Sequence, residues 1–182
     1  MRIRMASPND AAAIQAILRP TIEASAITFH DAIPSVESLR VKIAAALETF
    51  PWLVLEDGAQ VIGEAAASRY RASEGTRWGV ETSIALGEAA RGRGLGTRLY
   101  GALLDGLKEL GFCNAYAGIT LPNPASVRLH ERLGFETVGI FRRTGFKLGL
   151  WHDSIWMQKA LTPAAQAPGP RRPVTELRTF AD

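Results

Sequence analysis

Apolar and polar residues alternate in "MRIRMA", the two-residue period of a short strand. The period then lengthens. Ser7 is placed to cap a helix with Pro8 in its first turn, and Ile14, Ile17 and Leu18 share one face. That helix is expected to end before Pro20. Ser35 opens a second helix, with Leu39, Ile43, Leu47 and Phe50 at helical spacing. "WLVLE" and "QVIGEAAASRY" read as two strands joined at Asp57-Gly58, a hairpin signal. "WGVETSIAL", residues 78–86, is the next strand. A helix is expected over 97–110, carrying Leu99, Leu103, Leu107 and Leu110 on one side. "NAYAGIT" is a strand closed by Pro122-Asn123-Pro124, and Asn123 caps the helix "SVRLHERL". "FETVGIFRRTGF" and "WHDSIWMQKAL" supply two last strands.

Strand, two helices, a meander of strands, helix, strand, helix, two strands: this order predicts an α/β (α+β) domain around a mixed sheet flanked by helices. The domain is expected over residues 1–161, and 162–182 read as a proline- and arginine-rich tail lying extended on the domain or on a partner.

Composition narrows the function without choosing it. The 182 residues are 47% hydrophobic and 21% charged, ordinary for a soluble globular chain. No run is long and apolar enough to cross a membrane, and "MRIRMASPND" lacks the apolar core of a signal peptide, so a cytoplasmic location is expected. A formal charge of only +3 makes nucleic acid a weak first guess. The lone Cys113 excludes an internal disulfide and reads as a buried, inert thiol. Three scattered histidines, His30, His130 and His152, have no metal-ligand spacing, so no metal is expected.

The stretch "RGRGLGTRLYGALLDGLKELGF" carries the chemistry. A strand, a glycine-rich turn and a helix start bring free backbone N–H groups and the positive end of a helix dipole to one point, an anion site. Gly92, Gly94 and Gly96 remove side chains from that point, and Arg91 and Arg93 add charge at its rim. Thr97 stands where the dinucleotide fingerprint would need its spacing continued, and no lysine is present for a P-loop. The bland alternative is a solvent turn that needs glycine only for its backbone.

Arg91, Gly94 and Gly96 in the order R-x-x-G-x-G, after an acidic strand and before a strand and an Asn-capped helix, resemble the GNAT acyltransferase superfamily. "FPWLVLE", "VETS", "GITLPNPASVRLHERLGFETVG" and "GFKLGLWHDSIWMQ" resemble one branch more closely, the phosphinothricin, methionine sulfone/sulfoximine and arsinothricin N-acetyltransferases. The likeness runs from about residue 3 to 161 and touches "PVTEL" in the tail. It implies the GNAT fold with strands splayed at an acetyl-CoA site. It also implies a role in herbicide or antibiotic resistance.

The resemblance assigns roles residue by residue. The 91–97 loop (Arg91, Gly92, Arg93, Gly94, Leu95, Gly96, Thr97) would hold the pyrophosphate of acetyl-CoA, with Ile84, Ala85, Leu86 and Asn123 along its pantetheine arm. Family members usually have tyrosine at the position of Ala85. Glu81 matches the general base, which transfer to an amine requires because an alkyl amine is mostly protonated at neutral pH. On alternation alone, Glu81 could equally be a surface residue. His130 matches a proton donor to the departing thiolate; otherwise a single helical histidine reads as structural. Phe29, Arg71 and Ser73 fall on substrate positions, and Ser73 replaces a second basic residue of the phosphinothricin enzymes. Arginine pairs a carboxylate or phosphinate in two parallel bonds. Acceptors such as polyamines, aminoglycosides or protein N-termini favour an acidic cavity instead. The last two strands, with Trp151, His152, Asp153 and Trp156, suggest a homodimer. The remaining alternative is a nucleic-acid or phosphoprotein module using Arg91, Arg93, Arg98, Arg171 and Arg172.

Overall fold

The computed structural model describes residues 1–163 and 167–177. Seven strands form one mixed sheet: β1 (Arg2–Met5), β2 (Trp52–Asp57), β3 (Gln60–Arg69), β4 (Gly79–Leu86), β5 (Asn114–Thr120), β6 (Glu136–Lys147) and β7 (Leu150–Ala160), in the order β1-β2-β3-β4-β5-β7-β6. Helices α1 (Ala11–Ala24), α2 (Val36–Leu47), α3 (Leu95–Glu109) and α4 (Pro124–Arg132) flank it. Neighbours pair antiparallel except β4 and β5, which run parallel.

Alternation sorts the sheet residues into two cores. Leu53, Leu55, Ala65, Ala67, Val80, Ala115, Ala117, Ile155 and Met157 pack with Leu99, Leu103 and Leu107 of α3. Trp52, Val54 and Val61 pack with Ile14 and Ile17 of α1 and Leu39 and Ile43 of α2. Helices α1, α2 and α3 turn toward the sheet the stripe that their apolar spacing predicts.

Two helix boundaries differ from the local signals. Pro20 lies inside α1, which continues to Ala24. Proline costs its N–H and crowds the preceding turn, but Pro20 is exposed and Ile22 beyond it is 4% exposed in the packed interior. Tertiary packing outweighs the local breaker. Helix α3 begins at Leu95 rather than 97, so Gly96 is helical and only Gly92 and Gly94 belong to the turn.

The tail docks on the domain. Trp78 Nε1 donates to the Gly169 carbonyl at 2.9 Å, Arg172 N donates to the Leu110 carbonyl at 2.9 Å, and Val174 is buried in the larger core. The tail residues 164–166 and 178–182 lie outside the described residues.

Candidate active site

Strands β4 and β5 pair only at Gly79↔Asn114, Val80↔Ala115 and Glu81↔Tyr116, although both continue beyond. Past that point they part. Ile84, Ala85 and Leu86 keep their β3 partners Ala65, Glu64 and Gly63. On the β5 side they have no ladder partner among the described residues, leaving a strand edge able to bond an extended ligand.

The turn after β4 leads to the start of α3. Gly92 and Gly94 hold φ of +73° and +76°, the left-handed region that disfavours a side chain, and a Cβ on either would meet nothing within 4 Å. Gly94 is the N-cap of α3, no side chain caps that end, and no acidic residue lies in its first turn. The positive pole of α3 is therefore open and uncompensated. Gly96 is different: it is helical, and its Cβ would stand 3.4 Å from Leu86 Cδ1 and 3.6 Å from Leu129 Cδ2, ordinary contact that does not demand glycine. Arg91 donates to the Leu86 carbonyl at 3.1 Å and Arg93 to the Ala89 carbonyl at 3.4 Å, both exposed at the rim. Leu95 and Thr97 are half-buried in the first turn. Asn123 Oδ1 accepts from Ser126 N at 3.2 Å and caps α4.

Cross-strand partners share a face, so Ser68, Glu81 and Tyr116 point together, on the side of α1 and α2. Glu81 is half-buried with no hydrogen-bond partner among the described residues, and burial pushes its carboxyl above the usual glutamate range. Tyr70 stacks on Tyr116 with centroids 3.9 Å apart and meets Trp156 edge-on at 6.5 Å. Phe29 approaches the same face from the loop after α1. Its ring lies 6.4 Å from that of His152 and fills the space that a Cβ on Gly145 would need, only 2.5 Å away. Arg71 is exposed and stands 5.1 Å over the Tyr70 ring. With Ser73 it lines a hollow of about 390 Å³ shared with Arg69, Glu74 and Arg77.

His130 is elsewhere. It is 3% exposed, with Nδ1 2.8 Å from the Ser126 carbonyl and Nε2 3.1 Å from Tyr100 Oη. Tyr100 Oη lies 2.6 Å from Thr82 Oγ1. Thr82 follows Glu81 and so faces the opposite side of the sheet. Burial lowers the His130 pKa and raises that of Tyr100. Glu81 and His130 are thus brought to the same split in the sheet from its two faces, not into one contact.

The family model of the acetyltransferase (GNAT) domain matches residues 3–156. The chain belongs to the GNAT acetyltransferases. It is 35% identical over 178 residues to a phosphinothricin N-acetyltransferase of Streptomyces viridochromogenes, covering 97% of this chain and 96% of the relative. It is also 35% identical over 162 residues to the L-methionine sulfoximine/L-methionine sulfone acetyltransferase of Salmonella typhimurium, covering 88% and 95%. A phosphinothricin acetyltransferase from Sinorhizobium meliloti, solved in complex with acetyl-CoA, superposes with a TM-score of 0.89 at 34% identity, covering 97% of this chain and 98% of that one.

Residues of this GNAT enzyme fit such a ligand: the open α3 pole suits a diphosphate, and the unpaired β4 edge suits an amide-bearing arm. Among the described residues no group of three His, Cys, Asp or Glu side chains could hold a metal ion, and no helix is long and apolar enough to cross a membrane.

Sequence reasoning missed four residues that the structure places at this candidate site. Tyr116 was visible only as one alternate position of a strand, and its neighbour Tyr70 only as the last residue of another. Thr82 and Tyr100 carried no signal at all. Glu64 is a further surprise: it stands directly opposite Ala85, is 4% exposed, and its Oε2 has no hydrogen-bond partner among the described residues. Burial pushes its carboxyl up to about 7.

Proposed function

We propose that this acetyltransferase moves an acetyl group from acetyl-CoA to the α-amino group of a small amino-acid analogue, such as phosphinothricin or methionine sulfone/sulfoximine, by direct transfer. The observation carrying this reading is the half-buried, unpartnered Glu81 at the last β4–β5 pair, on the aromatic-lined face of the split. Names of the relatives point to the same acceptors.

Acetyl-CoA supplies the activated acetyl thioester. The amides of Leu95, Gly96 and Thr97, with Gly92 and Gly94 shaping the turn and Arg91 and Arg93 at its rim, bind the diphosphate. Backbone groups of Ile84, Ala85 and Leu86 orient the arm and polarise the thioester carbonyl. The Asn123 side-chain amide, its oxygen already used in capping, offers its nitrogen to the arm. Glu81 takes the proton of the acceptor ammonium, a step favoured by a carboxyl raised toward neutrality. Arg71 and Ser73 hold the acceptor's acidic group, and Phe29 covers its side chain. His130, when it has taken up a second proton, would return that proton toward the leaving thiolate through Tyr100 and end as neutral imidazole.

Arg69, Arg71 and Arg77 around one hollow disfavour cationic acceptors such as polyamines and aminoglycosides. The β6–β7 hairpin exposes Phe141, Phe146, Leu148, Leu150 and Trp151, an apolar surface suited to a second copy, so we expect a homodimer. Resistance to a toxic analogue in the cytoplasm is the role that fits such acceptors.

The deciding experiment is a screen of thiol release from acetyl-CoA over phosphinothricin, methionine sulfone, methionine sulfoximine, arsinothricin and the common amino acids. Turnover confined to the analogues supports the reading; turnover only with polyamines or aminoglycosides overturns it.

A further inference from the structure

The point where β4 and β5 part is braced by side chains. Tyr116, in the last pair, has its carbonyl taken by the Thr82 hydroxyl at 3.1 Å. The same hydroxyl touches Tyr100 Oη at 2.6 Å, Tyr100 Oη touches His130 Nε2 at 3.1 Å, and His130 Nδ1 touches the Ser126 carbonyl at 2.8 Å. Thr82, Tyr100 and His130 are 6%, 0% and 3% exposed, so water does not substitute for a lost bond.

We propose that Thr82 is a positioning residue that fixes where β4 and β5 part, and so sets the shape of the acetyl-CoA seat, with Tyr100 and His130 holding its hydroxyl. The inference rests on the reading that acetyl-CoA occupies the split. Three things argue for it. Thr82 immediately follows the last paired residue of β4, so its side chain acts at the vertex itself. The chain of bonds runs through four elements that line the seat: β5 by the Tyr116 carbonyl, β4 by Thr82, α3 by Tyr100, and α4 by His130 and Ser126. Tyr100 sits on the same helix whose open pole faces the glycine turn, so the brace ties the anion site to the split.

Counting protons shows why the brace is specific. A neutral imidazole, the Tyr100 hydroxyl and the Thr82 hydroxyl supply three protons for four contacts. With the Thr82 proton on the Tyr116 carbonyl and the Tyr100 proton on Thr82 Oγ1, one of the two imidazole contacts goes without, and Thr82 is the residue bonded to both Tyr100 and the β5 backbone. A valine there keeps the packing volume and loses the link.

The test is calorimetric titration of acetyl-CoA into the protein without acceptor, alongside a thermal melt. Thr82→Val should raise the dissociation constant about tenfold, and Thr82→Ser should stay within about twofold of wild type. The acceptor KM of Thr82→Val, at saturating acetyl-CoA, should stay at the wild-type value. Folded Thr82→Val that binds acetyl-CoA as wild type does would overturn the proposal. If Thr82→Val does not fold, Tyr100→Phe decides: it keeps the ring and drops the hydroxyl, so several-fold weaker binding supports the brace and equal binding overturns it. Wild-type protein that binds no acetyl-CoA defeats the underlying reading instead, a result distinct from equal binding by variant and wild type.

Discussion

Lys147 secures Phe29 by its neighbours: Nζ donates to the Thr28 carbonyl at 2.9 Å and to the His30 carbonyl at 2.8 Å, one on each side of the ring. A third bond, 2.7 Å, goes to the Ile22 carbonyl in the last turn of α1. No basic residue lies in that turn, so the cation that complements the helix C-terminus comes from β6, 125 residues away in sequence. Three carbonyls converge on a compact ammonium, which suits lysine better than the planar fork of arginine.

Lys147→Met is therefore expected to free the loop that carries Phe29. Acceptor KM should rise about tenfold or more while acetyl-CoA KM stays put, and stability should fall by ~2–4 kcal/mol for three bonds to a buried charge. Steady-state kinetics varying each substrate separately, with a melt, checks both. An unchanged acceptor KM would remove Phe29 from the pocket.

Glu81→Gln is expected to lower kcat about 100-fold or more, the usual range for removal of a general base. Acetyl-CoA affinity should stay within about twofold, because the seat is made by other groups. Because burial raises the Glu81 pKa, the acidic limb of the wild-type rate profile should inflect above the ordinary 4.5. Loss of that limb in the variant is the signature; a limb that persists assigns it to another group.

Glu64 links the fold to pH. Its carboxyl is raised from 4.5 to about 7 by burial, so the folded state holds this proton more tightly than the unfolded chain. The stability it contributes is full below about pH 4.5 and is lost as pH rises toward and through 7. Each unit is worth about 1.4 kcal/mol, so the loss approaches ~3 kcal/mol. Glu64→Gln, neutral throughout, should close the gap: its melting temperature relative to wild type should rise between pH 5 and pH 8. A constant difference across that range would show that Glu64 does not titrate there.

At Gly94, φ is +76° and there is room for a Cβ, so Gly94→Ala strains only the backbone. The cost should be ~1–2 kcal/mol, read as a small drop in melting temperature and as several-fold weaker acetyl-CoA binding by calorimetry. Unaltered binding would place the diphosphate away from this turn.

The glycine turn shows how far local pattern reaches. Three alternate glycines before a helical stripe mark a bare backbone, but they do not say which of them the turn requires. Gly92 and Gly94 are bare because of their dihedral angles, whereas Gly96 is helical and a Cβ there would make only ordinary contact with Leu86. Pro20 misled for a related reason: a local breaker acts with one residue's strength, whereas Ile22 beyond it is held by the whole core. Of the site, Glu81, Arg91, Gly94 and Asn123 stood out because each occupies a motif. Thr82, Tyr100 and Lys147 did not, since their roles depend on partners 18 to 125 residues away.

The chain by itself determined the order of elements, the two faces of each strand and the place of the anion turn, because period and capping are properties of neighbours in sequence. Tertiary structure alone decided that β4 and β5 part after Glu81, that Glu81 and His130 lie on opposite faces of the sheet, and that one lysine ties the Phe29 loop to β6. Those facts are fixed by long-range pairing and burial, where the loss of water forces each polar group to find its partner wherever in the chain it lies.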